Sequence, residues 1–176
     1  LYCNFKIYGK GGHKIWKHNK NSSGGVEMEM VSHMIDLSTW LFGKIKKAQR
    51  ISSLQIKKER KIENQSLKVN SKDSSIIQLN FHNKVIVNIE ANFFSSSFFQ
   101  SVNVIGENGD FFGTLDGKIK VRECLNSNLR YKTINNHTMM EKQILSFLKK
   151  KEFNNNDASS FADNYFITEV LDKLKN

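Results

Sequence analysis

Glu29, His33, Asp36 and Trp40 follow one another at steps of four, three and four residues. At about 100° per residue those steps return to nearly one azimuth of a helix. An imidazole on such a line can take a proton from a substrate hydroxyl or return it, and a carboxylate one turn away can fix its tautomer and raise its basicity. The same spacing suits a structural histidine beside a helix-face ion pair, or a metal held by two carboxylates and one imidazole. Spacing alone leaves these readings open.

Such a line needs a helix, and residues 26–42 supply one. Gly24 and Gly25 open it and Gly43 stands where a C-terminal cap glycine belongs. Met30, Met34, Leu37 and Leu41 form an apolar face beside the polar line, with Val31, Ile35 and Phe42 further round. The helix therefore reads as largely buried, its polar line inside. Just before it, Trp16 with Lys14, Lys17 and His18 makes a basic aromatic loop that either contributes to a pocket or pins the loop to the core.

Two glycine-rich stretches carry no nucleotide fingerprint. GKGG (9–12) lacks the second half of a phosphate loop and reads as a flexible loop. GENGDFFG (106–113) lies between two strand-like runs, so a β-turn is expected.

The rest of the chain must build the support. Residues 1–9 alternate as a strand, and from about 46 to 134 the period is two. AQRISSLQIKKE, SIIQLNFH, KVIVNIEAN, QSVNVIG, GDFFGTL, KIKVREC and LRYKTI are short β-rich runs, the second and third forming a hairpin that turns near His82 and Asn83. Met140, Ile144, Phe147 and Leu148 have helical spacing, and Asp157 can cap a last helix lined by Ile167, Val170, Leu171 and Leu174. The expected fold is α+β: a large, open-faced, mostly antiparallel sheet with helices packed on one face.

Composition bounds the partners. The chain of 176 residues is 39% hydrophobic and 11% aromatic, enough for one folded domain. No apolar stretch reaches the roughly 20 residues of a membrane span, and the N-terminus lacks the form of a signal peptide. Cys3 and Cys124 are far apart and outside any ligand spacing, so half-buried thiols in a reducing cytoplasm are expected and no metal site is read. The net charge of +10 is concentrated at 44–61. Lysine-heavy composition without a nucleic-acid-binding motif argues for a solvated strand rather than a nucleic-acid surface.

The order of elements and the run GGVEMEMVSHMIDLSTWLFGKI (24–45) resemble the C-terminal domain of the Gfo/Idh/MocA family of NAD(P)-dependent oxidoreductases. The family pattern has paired glycines, an acidic residue, then H-x-x-D and W-L-x-G. VNVIGENGDFFGTLDGKIKV (102–121) is similar to its strand, G-E-x-G turn and strand, and MEKQILSFLKKKEF with the helix from about 158 to its closing helices. Two positions depart from the pattern: Glu29 stands where Asp is usual, and Val31 where Gly is frequent.

The resemblance implies an open sheet whose bare face makes homo-oligomer contacts. It makes His33 the catalytic acid/base, Glu29 the acidic residue that orients it, and Asp36 the group that contacts a sugar, polyol or nucleotide sugar, with Trp16 and Lys17 closing the pocket. In the family NAD or NADP binds an N-terminal Rossmann domain, which residues 1–176 do not contain. The expectation is one substrate-binding and oligomerisation domain, 1–176, of a longer dehydrogenase, binding no cofactor and inactive alone. A non-catalytic, self-associating scaffold module is the alternative.

Overall fold

Strict alternation from Ser74 to Asn92 builds the centre of the sheet: Ser75, Ile77, Leu79 and Phe81 point inward, and Ile76, Gln78 and Asn80 outward. The computed structural model describes residues 1–11, 14–22, 24–62, 64–114, 118–123, 129–133 and 161–174. In chain order the elements are β1 (Tyr2–Tyr8), a 3-10 turn (Ile15–His18), a π-helical turn (Glu27–Val31), α1 (Ser32–Phe42), β2 (Ile45–Leu54), β3 (Glu59–Ile62) and β4 (Gln65–Lys68). There follow β5 (Ser74–Phe81), β6 (Ile86–Asn92), β7 (Phe99–Gly106), β8 (Gly109–Thr114), β9 (Lys118–Glu123), β10 (Leu129–Thr133) and α2 (Phe161–Lys173). The expected helix around Met140–Leu148, the Asp157 cap and Cys124 lie outside the described residues.

Eight strands form one sheet in the order β10-β9-β8-β7-β1-β6-β5-β2, with β3 and β4 as a separate hairpin. The β1/β6 pair is parallel, Phe5 opposite Ile89, and the other pairs are antiparallel. The predicted hairpin turns at His82 and Asn83: Lys84 N–H donates to Phe81 O (3.1 Å) and Phe81 N–H to Val85 O (2.9 Å). Glu107 and Asn108 make the tight turn between β7 and β8, as the sequence predicts.

One face of the sheet is packed and the other is bare. Cys3, Phe5 and Ile7 join Val87, Ile89 and Ala91 against Val31, Met34 and Ile35 of the first helical segment and Ile167, Val170, Leu171 and Leu174 of α2. Cys3 is fully buried rather than half-buried, and burial pushes its thiol up to about 12. On the opposite face Tyr2, Ile76, Ile86 and Ile105 are exposed among polar neighbours.

The run expected as one strand over 48–59 breaks after Leu54. Fully buried Asp73 accepts Ile56 N–H (2.7 Å) and Lys57 N–H (2.8 Å), which diverts those amides from the sheet. The chain then forms the β3/β4 hairpin, which the sequence reading missed; Asn64 holds its turn with φ 64°. The GKGG reading also needs correction. Gly11 (φ 59°) packs directly on Phe93, where a Cβ would lie 2.6 Å from the Phe93 Cβ, so this part of the loop is docked.

Candidate functional site

The helix that carries the polar line begins where its glycines permit. Gly25 adopts φ 78°, and a Cβ there would sit 2.4 Å from Lys72 O. Val26 N–H donates to that same carbonyl (3.0 Å). The following turn is π-helical, a form found mostly as single turns and often at functional sites. Gly43 (φ 85°) ends the helix, its N–H donating to Thr39 O (2.8 Å).

The side that faces the core differs from the expected one. Val31, Met34, Ile35 and Ser38 are buried, whereas Leu41, assigned to the apolar face, is 45% exposed. The polar line is accordingly not inside: His33 and Trp40 are exposed, and Glu29 and Asp36 are half-buried. The wider turn at 27–31 offsets Glu29 in azimuth from His33, Asp36 and Trp40, which keep their mutual spacing within α1. The line lies along the helix border, exposed at His33 and Trp40.

Three of the predicted site residues meet. Lys17 Nζ lies 2.9 Å from Glu29 Oε2, both side chains about four-fifths buried, and 5.4 Å from the centre of the Trp16 ring. The 3-10 turn thus reaches across to the π turn. Among the described residues Glu29 is held by Lys17 and not by His33, while His33 and Asp36 follow on α1 with their side chains toward the border. No group of three or more metal-ligating side chains occurs among the described residues.

Two nearby contacts were not read from the sequence. Glu27 receives Arg50 through two bonds, Nε to Oε1 (2.9 Å) and Nη2 to Oε2 (2.7 Å), and Ser75 Oγ donates to Oε1 (2.8 Å). Burial pushes the Glu27 carboxyl up, but the Arg50 and Ser75 bonds outweigh it and hold the group below the usual carboxylate range. His18 is the second: it is buried beside Lys17, its Nε2 bonded to Gly11 O. The EME alternation hinted that one acid faces inward, but its partner is 23 residues away.

The helix N-terminus is no dinucleotide cradle. Its first amide is taken by Lys72 O, and two carboxylates, Glu27 and Glu29, occupy the first turn, where a pyrophosphate would need free amides. The arrangement is a largely buried acid–cation pair, Glu29 with Lys17, followed on α1 by an exposed imidazole, His33.

Residues 3–167 match the family described as "Oxidoreductase family, C-terminal alpha/beta domain". No curated sequence matches. Among solved structures, levoglucosan dehydrogenase in complex with NADH and L-sorbose superposes with TM-score 0.78 at 14% identity, over 99% of this chain and 56% of that one. An oxidoreductase domain protein from Kribbella flavida gives 0.80 at 13% identity, over 99% and 55%. An NAD binding oxidoreductase from Klebsiella pneumoniae gives 0.64 at 15%, over 99% and 48%. The chain spans about half the length of these structures. At such identities the likeness is one of fold, and the family match covers most of the residues. The chain belongs to the Gfo/Idh/MocA oxidoreductase family, as its C-terminal α/β domain.

Proposed function

We propose that this domain is the substrate-binding and oligomerisation part of an NAD(P)-dependent oxidoreductase acting on a sugar, a polyol or a nucleotide sugar. The observation that carries the reading is the Lys17–Glu29 bond: it draws the aromatic loop onto the helix one turn before His33 and leaves that imidazole exposed. In this role His33 exchanges a proton with the reacting hydroxyl. Glu29, held by Lys17, sets the charge beside it, Asp36 bonds neighbouring hydroxyls, and Trp16 offers an apolar wall to a sugar ring. NAD or NADP is then held by a dinucleotide-binding domain rather than by residues described here, and residues 1–176 alone perform no hydride transfer. That the superposed levoglucosan dehydrogenase was solved with NADH and with L-sorbose supports the substrate and cofactor classes.

The bare sheet face is the proposed self-association surface, because Tyr2, Ile86 and Ile105 lie exposed on adjoining strands. Ile105→Lys is expected to shift the sedimentation coefficient toward the monomer; an unchanged value rules that face out. The alternative of a non-catalytic scaffold calls for Glu29 and His33 packed shut: Glu29 is largely buried against Lys17, and it is the exposed His33 that favours the catalytic reading. Turnover of a panel of sugars, polyols and nucleotide sugars with NAD and with NADP, by the protein carrying this domain, tests it. Reduction of the cofactor by at least one polyhydroxylated compound is expected; none across all three classes would defeat it.

A further inference from the structure

Residues 9–11 follow β1 and residues 14–18 lead to the candidate site, and His18 is buried between them and the core. His18 is 1% exposed, stands edge-on to Phe93 (ring centres 6.0 Å apart, 74° between planes) and bonds Gly11 O through Nε2. A carbonyl can only accept, so Nε2 carries the proton. Nδ1 is buried and has no hydrogen-bond partner among the described residues. Burial lowers the affinity of the ring for a second proton; the Gly11 bond opposes this, and Arg60 and Lys17 reinforce it against the opposite pull of Asp73.

The neighbouring backbone is tied at the same place. His18 O accepts Asn70 N–H (3.2 Å), and Lys17 O receives a long bond from Ser71 Oγ (3.4 Å). Lys17 is the next residue, and its ammonium reaches Glu29 only while this stretch stays docked. We propose that His18 is a positioning residue of the site, a buried imidazole that fastens the loop to the Gly11 carbonyl and thereby holds Lys17 against Glu29. The inference rests on the proposed function for the meaning of the Lys17–Glu29 bond, but not for its test.

Reductive 13C-methylation turns each lysine of the whole chain into a dimethyl probe, with the Lys17 signal assigned from Lys17→Arg. In the wild type that signal stands apart from those of the surface lysines, and Glu29→Gln moves it onto them. His18→Gln, which keeps a side-chain N–H donor, leaves the signal in place, whereas His18→Leu moves it to the surface position while melting stays cooperative. A Lys17 signal unmoved in folded His18→Leu, moved equally by both His18 variants, or indifferent to Glu29→Gln overturns the proposal. Should His18→Leu not fold, the 15N spectrum of the wild-type ring decides. A neutral ring with a slowly exchanging Nε2 proton is expected, and protonation at Nδ1 instead contradicts the fastening. Failure of the enzymatic reading would show in turnover and leave these signals as they are.

Discussion

Lys17 Nζ and Glu29 Oε2 stand 2.9 Å apart, joining a loop that follows the first strand to the turn that opens the site helix. The pair is about four-fifths buried, comparable with Glu27 and Arg50, so removing Lys17 and leaving Glu29 unpaired should cost on the order of 2 kcal/mol. Lys17→Met should therefore lower the melting temperature by several degrees. It also strips the cation from the Trp16 ring and from Glu29, so kcat/KM for the polyhydroxylated substrate should fall at least tenfold, as steady-state kinetics would show. An unchanged kcat/KM would make the pair a structural tie alone.

A second ion pair, Glu27 with Arg50, ties the same turn to β2. Breaking a fully buried pair costs about 3–5 kcal/mol; here Arg50 keeps 26% of its surface exposed, so Arg50→Ala should cost on the order of 2 kcal/mol. The sign with pH follows from the lowered Glu27 value. The ordinary carboxylate value of 4.5 holds in the unfolded chain, so the stabilisation is complete above it and is lost as pH falls through the lower folded value. Urea titrations at several pH values should show a shallower acid loss in Arg50→Ala than in the wild type. Parallel curves would mean that Glu27 is not held by Arg50.

Gly25 permits the chain to enter the helix beneath the Lys72 carbonyl. Gly25→Ala places a side chain at φ 78° and a Cβ 2.4 Å from Lys72 O. The backbone conformation alone costs about 1–2 kcal/mol for a non-glycine residue, and the clash adds to it. Denaturant midpoints should fall accordingly, with the m-value kept. A loss of only about 1–2 kcal/mol would show that the 71–72 segment gives way freely, and a smaller one would contradict the positive φ at Gly25.

The fold was largely legible because its determinants are local. Alternation in 74–92 names the inward residues one by one, Gly43 ends the helix as its position demands, and Ile167, Val170, Leu171 and Leu174 are the buried line of the last helix. The site was legible only in part. Glu29, His33 and Asp36 share one helical segment, but its π turn offsets Glu29 from the other two, and no periodicity of 3.6 announces such a turn; Trp16 and Lys17 come from a separate 3-10 turn. The rest depended on contacts between distant residues. Asp73 breaks the strand after Leu54 by taking amides 16 and 17 residues away, and His18 and Arg50 owe their roles to Gly11 and Glu27. Charge and type at 44–61 gave a basic strand; they did not say that Arg50 and Arg60 turn back to bond buried carboxylates.

The central claim is that His33 moves the substrate's proton. A positioned acid/base group contributes about 10²–10⁴-fold in rate. The direct measurement is kcat for the protein carrying this domain against its His33→Ala variant, with the Kd for NAD or NADP measured alongside. The account predicts a fall of about a hundredfold or more in kcat with cofactor affinity unchanged. Equal turnover in the two proteins would contradict it.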